Sequence, residues 1–326
     1  MTRAPSVFRS LEEASGRFGP CVLSIGNFDG VHAGHRRIFR RVVELAHEQG
    51  WKPSALTFDP HPARIVAPQR APRLLTTPDQ RAALMAAEGI EQVLILPFTG
   101  EVAHLSPEEF VREVLVGRLD VRAVLVGSNF RFGYRHAGDT ERLAELGRQY
   151  GFATEVVPAV KLRGHMISSS EIRRLIESGD VAKAGRLLAR PYFVEGEIVP
   201  GRGIGSAQTV PTLNLATPAE VLPAAGVYVT RTRDLGSEQV WASVSNVGFR
   251  PTFGGSSLSV ESFLLDRLAG EAPRRVRLEF LRRLRAERKF PSAESLKAQI
   301  LRDAERARRY FRGLRRYTQK EPQIHL

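Results

Sequence analysis

The chain has 326 residues, of which 42% are apolar and 25% charged, with a net charge of +13 and one cysteine. This length and apolar share suit two globular domains with separate cores and exclude a chain dominated by disorder. The lone Cys21 excludes an internal disulfide and a multi-thiolate zinc site, and its place in an apolar run reads as a buried thiol. No window approaches 18 uninterrupted apolar residues and residues 1–19 lack a signal-peptide core, so the expectation is a cytoplasmic protein without membrane contact.

In chain order, short β-type runs at Val22–Ile25, Ala55–Phe58, Val93–Leu96, Ala123–Val126 and Thr154–Val157 alternate with amphipathic stretches up to about Leu188. That alternation predicts a doubly wound α/β domain, a parallel sheet covered on both faces, over residues 1–188. Ligands of such sheets bind beyond the carboxyl ends of the strands, and four chemistry-bearing segments fall there. They are Gly26-Asn27-Phe28-Asp29-Gly30-Val31-His32-Ala33-Gly34-His35, Thr57-Phe58-Asp59-Pro60-His61-Pro62, Gly127-Ser128-Asn129-Phe130-Arg131-Phe132-Gly133 and Ile167-Ser168-Ser169-Ser170-Glu171-Ile172-Arg173.

After Arg190-Pro191 helical periodicity gives way to short runs at Tyr192–Val199, Gly226–Thr232, Gln239–Val247, Leu258–Leu265 and Val276–Leu281, separated by turn residues. They predict a small antiparallel β-barrel over residues 189–326. A helix from about Ser292 to Leu314 is expected to cap or flank it, with Leu296, Ile300 and Leu301 on its apolar stripe. Between Arg274 and Arg316 there are 16 Lys plus Arg against 5 Asp plus Glu, so +11 of the net charge lies there. The cations are spaced as on a solvated helix face, without the aromatics that single-strand binders stack on bases, and nucleic acid is not expected as a partner.

Two imidazoles at i and i+3 about a glycine can face one anion, while small residues let a phosphate approach the N–H groups of a helix start. His32 and His35 therefore suit a transferring phosphate. Histidines at a helix start also serve as simple caps, and the serine run with Glu171 also reads as a capping box. In the second half, Gly201, Gly203 and Gly205 permit a backbone nest for an anion or an ordinary Gly-rich turn, and there is no Gly-Lys pair to make a Walker loop. Thr212 and Asn214, two apart on an extended segment, offer neutral oxygens on one side to a Mg²⁺. Glu261, on a strand with apolar neighbours, is a candidate base for a hydroxyl attacking a γ-phosphate, or else an edge-strand carboxylate facing water.

Taken jointly, the four segments of the first half resemble the FAD synthetase module of the bifunctional riboflavin kinase/FAD synthetases, an HxGH nucleotidyltransferase branch. The second half resembles their flavokinase module through Pro211-Thr212-Leu213-Asn214-Leu215, Pro223-Ala224-Ala225-Gly226-Val227-Tyr228, Ser245-Asn246-Val247-Gly248-Phe249-Arg250-Pro251-Thr252-Phe253, Val260-Glu261 and Leu284-Arg285-Ala286-Glu287-Arg288-Lys289-Phe290. The resemblance spans Cys21 to about Asp303. It implies phosphorylation of riboflavin by ATP to FMN, and adenylylation of FMN by a second ATP to FAD and pyrophosphate, with Mg²⁺ as cofactor and riboflavin, FMN and ATP as the molecules bound.

By this resemblance His32, His35 and Arg173 are catalytic in adenylyl transfer, and Ser169, Ser170 and Arg173 bind the pyrophosphate portion. Gly26, Asn27, Phe28, Asp29, Gly30, Phe58, Asp59, His61 and Asn129 line the nucleotide and flavin. Gly201, Gly203, Gly205, Thr212, Asn214 and Arg285 do so for the kinase, with Thr212 and Asn214 on Mg²⁺ and Glu261 as base. Asn129 replaces a common Asp, Ser170 a common Thr, and Gln208-Thr209-Val210 the usual Leu-Gly-Phe. An adenylyltransferase for another phosphate acceptor, such as phosphopantetheine, leaves the second half unexplained, and a nucleic-acid-binding protein leaves both motif sets unexplained.

Overall fold

The run Cys21–Ile25 is apolar at every position but Ser24, and all five side chains are buried, as a strand covered on both faces requires. In the computed structural model, which describes residues 4–162, 165–200, 212–252, 255–266, 268 and 271–318, this run is β2. It lies inside a sheet with β1 (Ser6–Phe8), β3 (Lys52–Asp59), β4 (Gln92–Pro97), β5 (Val121–Gly127) and β6 (Ala153–Val157) in the order β1-β4-β3-β2-β5-β6. Every pairing is parallel. The chain proceeds outward from β2 through β3 and β4 on one side and through β5 and β6 on the other, so the order reverses beside β2. The expected strands are all present; β1 and the hairpin β7 (Lys161–Leu162) with β8 (His165–Met166) are too short to carry a periodic signal.

Alternation along the strands builds two cores. Val22, Ala55, Val93, Ile95, Ala123 and Leu125 face α1 (Ala33–Gln49) and α2 (Pro78–Ala86), where they meet Phe39, Val42, Ala46, Ala82 and Met85. Leu23, Ile25, Leu56, Leu94, Val124 and Val126 face the helical segment Phe110–Val116 and α3 (Thr140–Tyr150). Helices on both faces make the doubly wound arrangement. Cys21 is buried with its thiol pushed up to about 12 by desolvation, a packing residue rather than a reactive one.

Met1–Ser169 forms one compact unit and Ser170–Leu326 a second. The second opens with α4, whose residues run Ser169–Glu177, and α5 (Val181–Leu188), so helices that precede the composition change at Arg190-Pro191 group with the barrel. The barrel closes in the order β10-β13-β12-β11-β14-β9 from β9 (Tyr192–Val199), β10 (Thr212–Ala216), β11 (Gly226–Asp234), β12 (Val240–Thr252), β13 (Gly255–Leu264) and β14 (Arg275–Ala286). Its described pairings are antiparallel. Inward positions carry buried hydroxyls that satisfy one another: Thr230 Oγ1 lies 2.8 Å from Ser243 and 2.7 Å from Ser245, and Thr232 Oγ1 lies 2.8 Å from Ser243 and 3.0 Å from Ser262.

The outward residues Val227, Val229 and Val244 are covered by α6 (Ala293–Thr318). The face of α6 that makes this contact differs from the expected stripe. Leu296, Ile300 and Leu301 are exposed, and the buried positions are Gln299, Asp303, Ala304 and Ala307. Small residues let the helix lie close to the strands, and the two polar residues are used for hydrogen bonds, so burial here follows shape and pairing instead of hydrophobicity. Replacing Ala307 with Leu should therefore destabilise the protein by about 1–3 kcal/mol through overpacking, while Leu301→Gln should stay within about 0.5 kcal/mol. Urea unfolding of the two variants beside the parent measures both.

Candidate active sites

The turn after β2 sits where the sheet order reverses, the position at which open α/β sheets leave a crevice. Its backbone is unusual, with Phe28 at φ +47° and Val31 at φ +41°, left-handed values that side chains other than glycine rarely adopt. The turn is held from within. The Asp29 carboxylate accepts from Leu75 N at 3.0 Å, Thr76 N at 3.1 Å and Thr76 Oγ1 at 3.1 Å, while Gly30 N donates to Thr76 Oγ1 at 3.2 Å. Phe28 is buried against Phe39 and edge-on to His35. The side chains of Phe28 and Asp29 thus serve the turn itself, and exposed Asn27 and half-buried Gly26 are its accessible residues.

That geometry feeds the histidines. His32 is the N-cap of α1, its Nδ1 accepting from His35 N at 3.4 Å, so the capping role is real. The two rings also stack, with centroids 3.6 Å apart and planes 18° apart. Gly34 permits this, since a Cβ there would lie 3.1 Å from His32 ring atoms. The buried Nδ1 of His35 has no hydrogen-bond partner among the described residues. Burial first, then the neighbouring His32 and Arg81, hold the His35 imidazole well below its ordinary value, so it is neutral before any anion binds.

Around this pair the other predicted residues take separate places. Thr57 Oγ1, near the end of β3, donates to Asn27 O at 3.1 Å. Phe58 and Asp59 end β3, Phe58 edge-on to Phe98, and His61 caps the short helix Pro62–Val66 through Ala63 N at 3.1 Å. Asn129 is exposed after β5, its Oδ1 over Gly127. Ser169 Oγ donates to Asp29 O at 2.9 Å. Ser170 and Arg173 belong to the second unit, where Arg173 Nη1 donates to Ser170 Oγ at 3.4 Å, and Glu171 pairs with Arg174.

In the barrel, strand register assembles a row that sequence spacing alone does not reveal. Asn214 on β10 is opposite Glu261 on β13, which is opposite Asn246 on β12. Directly opposed residues share a face, and this face is the outer one, because the adjacent Ser245 and Ser262 point inward. Thr212, opposite Phe263, shares that face two residues from Asn214 and is exposed, while Asn214, Glu261 and Asn246 are half-buried. A Cβ at Gly248 would come within 2.5 Å of Glu287 Oε1 and 3.0 Å of Asn246 Nδ2, so a second carboxylate borders the row. Gly201, Gly203 and Gly205, with Gln208-Thr209-Val210, lie outside the described residues.

Arg285, opposite Val227 on the same outer face, is held by an ion pair. Its Nε donates to Asp303 Oδ2 at 2.9 Å, the Asp303 side chain being 2% exposed. Gln299 Nε2 donates to Asp303 Oδ1 at 2.8 Å, and Gln299 Oε1 accepts from Arg288. Asp303 and Gln299 escape sequence reasoning because a polar pair at i and i+4 looks like a solvent face; the alanines Ala304 and Ala307 beside them were the available signal. Among the described residues no group of three acidic, histidine or cysteine side chains could hold a metal ion.

The neutral His35 makes stability pH-dependent with a definite sign. Since its folded value lies below the unfolded value of about 6.5, the unfolded chain binds the proton first as pH falls. This contribution is complete above about pH 6.5 and is lost as pH falls from there toward the folded value. The melting temperature should therefore drop less steeply below pH 6.5 in His35→Gln than in the parent, and parallel profiles would contradict it.

The chain matches two family models, FAD synthetase over residues 15–171 and riboflavin kinase over residues 188–311. It is 37% identical to a bifunctional riboflavin kinase/FMN adenylyltransferase of Pseudomonas fluorescens over 88% of this chain and 92% of that one. To the protein of the same description from Escherichia coli K12 it is 34% identical, over 89% and 93%. A solved structure described as a macrolide-efflux protein of Streptococcus pneumoniae superposes with a TM-score of 0.82 at 26% identity, covering 94% of this chain and 99% of that one. Among the described residues no helix is long and apolar enough to cross a membrane.

Proposed function

This chain belongs to the bifunctional riboflavin kinase/FMN adenylyltransferase family, and from that premise we propose which of its residues carry each reaction. The enzyme phosphorylates riboflavin with ATP to FMN and adenylylates FMN with ATP to FAD, releasing pyrophosphate. We assign adenylylation to residues 1–188 and phosphorylation to residues 189–326, and locate the enzyme in the cytoplasm.

In adenylyl transfer an FMN phosphate oxygen attacks the α-phosphorus of ATP, and the bond to pyrophosphate breaks. The observation that carries the assignment is the stacked His32–His35 pair at the reversal of the sheet order, with an unpartnered ring nitrogen on His35. Imidazole N–H groups can donate hydrogen bonds to phosphate oxygens. Arriving negative charge favours their protonated forms, so their donor strength rises as charge builds on the leaving group. The N–H groups at the start of α1 add a positive helix end. Asn27, Gly26, Asn129 and Ser169 line the approach of the nucleotide and flavin. In folded protein, His32→Ala or His35→Ala should lower FAD formation from FMN by ~10²–10³-fold while riboflavin phosphorylation survives. A cap role alone would cost about 0.5–2 kcal/mol of stability with near-normal turnover, so both activities and the melting temperature are measured on each variant.

For the kinase, the row Asn214–Glu261 carries the reading. Glu261 takes the proton of the riboflavin primary hydroxyl as its oxygen attacks the γ-phosphorus, and ADP leaves. Thr212 and Asn214 fit Mg²⁺: a hydroxyl and a carboxamide oxygen on one strand face beside a carboxylate suit a cation that keeps part of its water shell. When bound, Mg²⁺ offsets the charge of the nucleotide phosphates. Arg285, held by Asp303, stands on the same outer face, with Val227 of β11 between it and Asn246. Glu261→Gln should cut FMN formation by ~10²-fold or more and leave FAD formation from supplied FMN nearly intact. Equal loss of both activities would count against the assignment.

A further inference from the structure

Among the described residues Arg81 is the largest fully buried side chain, 1% exposed, on α2 of the first unit. Among the described residues its guanidinium forms no ion pair: Nη1 donates to Thr57 Oγ1 at 2.8 Å and to Phe58 O at 3.3 Å, and Nε is buried without a partner. An arginine buried without a carboxylate in contact is costly, and cores that need only volume use apolar residues instead. Its hydrogen bonds lead to one place. Thr57, which accepts from Arg81, donates to Asn27 O at 3.1 Å, so a relay runs from α2 through the end of β3 to the turn that carries the histidines.

We propose that Arg81 is a positioning residue for adenylyl transfer, its guanidinium fixing the Asn27 carbonyl through Thr57 and setting a buried positive charge in the field of the His32–His35 pair. The inference rests on the assignment of that pair to adenylylation. Two consequences separate the relay from the charge. The relay determines where the backbone of residues 26–27 stands when a nucleotide approaches, and it requires the Thr57 hydroxyl. The charge acts on His35, whose protonation it disfavours together with burial and His32, the charged groups that bear on that ring. Arg81 itself is neighboured by the Asp29 and Asp59 carboxylates, which favour its charge against the burial that opposes it. A charge that desolvation makes expensive is explained when the bound ligand is a polyanion, and ATP and FMN supply one.

The test uses the full-length enzyme with FMN adenylylation and riboflavin phosphorylation assayed separately. Arg81→Met should lower kcat for adenylylation by ~10-fold or more, leave riboflavin phosphorylation within about two-fold, and move the acid limb of the adenylylation pH profile upward as His35 protonates more readily. Thr57→Val should lower adenylylation without moving that limb, since it cuts the relay and keeps the charge. Arg81→Lys should hold the limb near its parental position while recovering only part of the rate, because an ammonium lacks the planar fork. An unmoved limb in folded Arg81→Met, or full adenylylation in Thr57→Val, would overturn the proposal; where Arg81→Met fails to fold, Thr57→Val and Arg81→Lys decide it. His35→Ala measured alongside separates the layers: normal FAD synthesis there defeats the histidine assignment and this inference together. A loss there with normal Arg81 and Thr57 variants defeats this inference alone.

Discussion

The first unit depends on one buried carboxylate. Asp29 accepts hydrogen bonds from two consecutive backbone N–H groups and one hydroxyl of residues 75–76, and so fastens the turn after β2 to the entry of α2. Two non-glycine residues flanking it stand in the left-handed region, a cost of about 1–3 kcal/mol each, which charge-assisted hydrogen bonds of about 1.5–3 kcal/mol apiece can offset. The strained turn has a use. It drops Phe28 into the core under α1, leaves Asn27 outside, and starts the helix at His32 so that His35 lies one turn on, over the first ring.

The second unit solves a different problem with the same economy of placement. A closed barrel has two faces, and the inner one is given to a small set of mutually bonded hydroxyls and to Tyr228 and Trp241. The outer face carries the row to which phosphorylation is assigned above, where antiparallel register aligns Asn214, Glu261 and Asn246 across three strands. Such alignment is rigid, since a slip of one residue would turn every one of these side chains inward. Arg285 completes the same face from β14, and its partner Asp303 comes from the helix that lies over β11 and β12.

On the assignments proposed above, the two sites handle phosphate by different physical means. The first offers an imidazole pair, backbone N–H groups and a helix start, all donors that respond to arriving charge. The second offers neutral oxygens beside a carboxylate, acceptors that need a cation between them and the nucleotide. An attacking phosphate is already ionised and requires no base, whereas an attacking hydroxyl must lose a proton. The presence of Glu261 in one site and of the histidine pair in the other follows from that difference.

Short apolar and β-branched runs with their turn signals sufficed for the longer strands of both units, and local motifs sufficed for the histidine helix start, the paired Thr212 and Asn214, and the family. These features are written in residues close together in the chain. Short elements such as β1 and β7–β8 lack the length to carry a pattern, and the stripe Leu296, Ile300 and Leu301 is exposed because small size and polar pairing, not hydrophobicity, decide which face of α6 is buried. What the tertiary structure alone decided was long-range pairing: Asp29 with residues 75–76, Arg81 with Thr57 and through it Asn27, Glu261 with Asn214 and Asn246, and Arg285 with Asp303. Buried polar groups must find partners wherever the fold brings them, and no local period in the sequence records where that is.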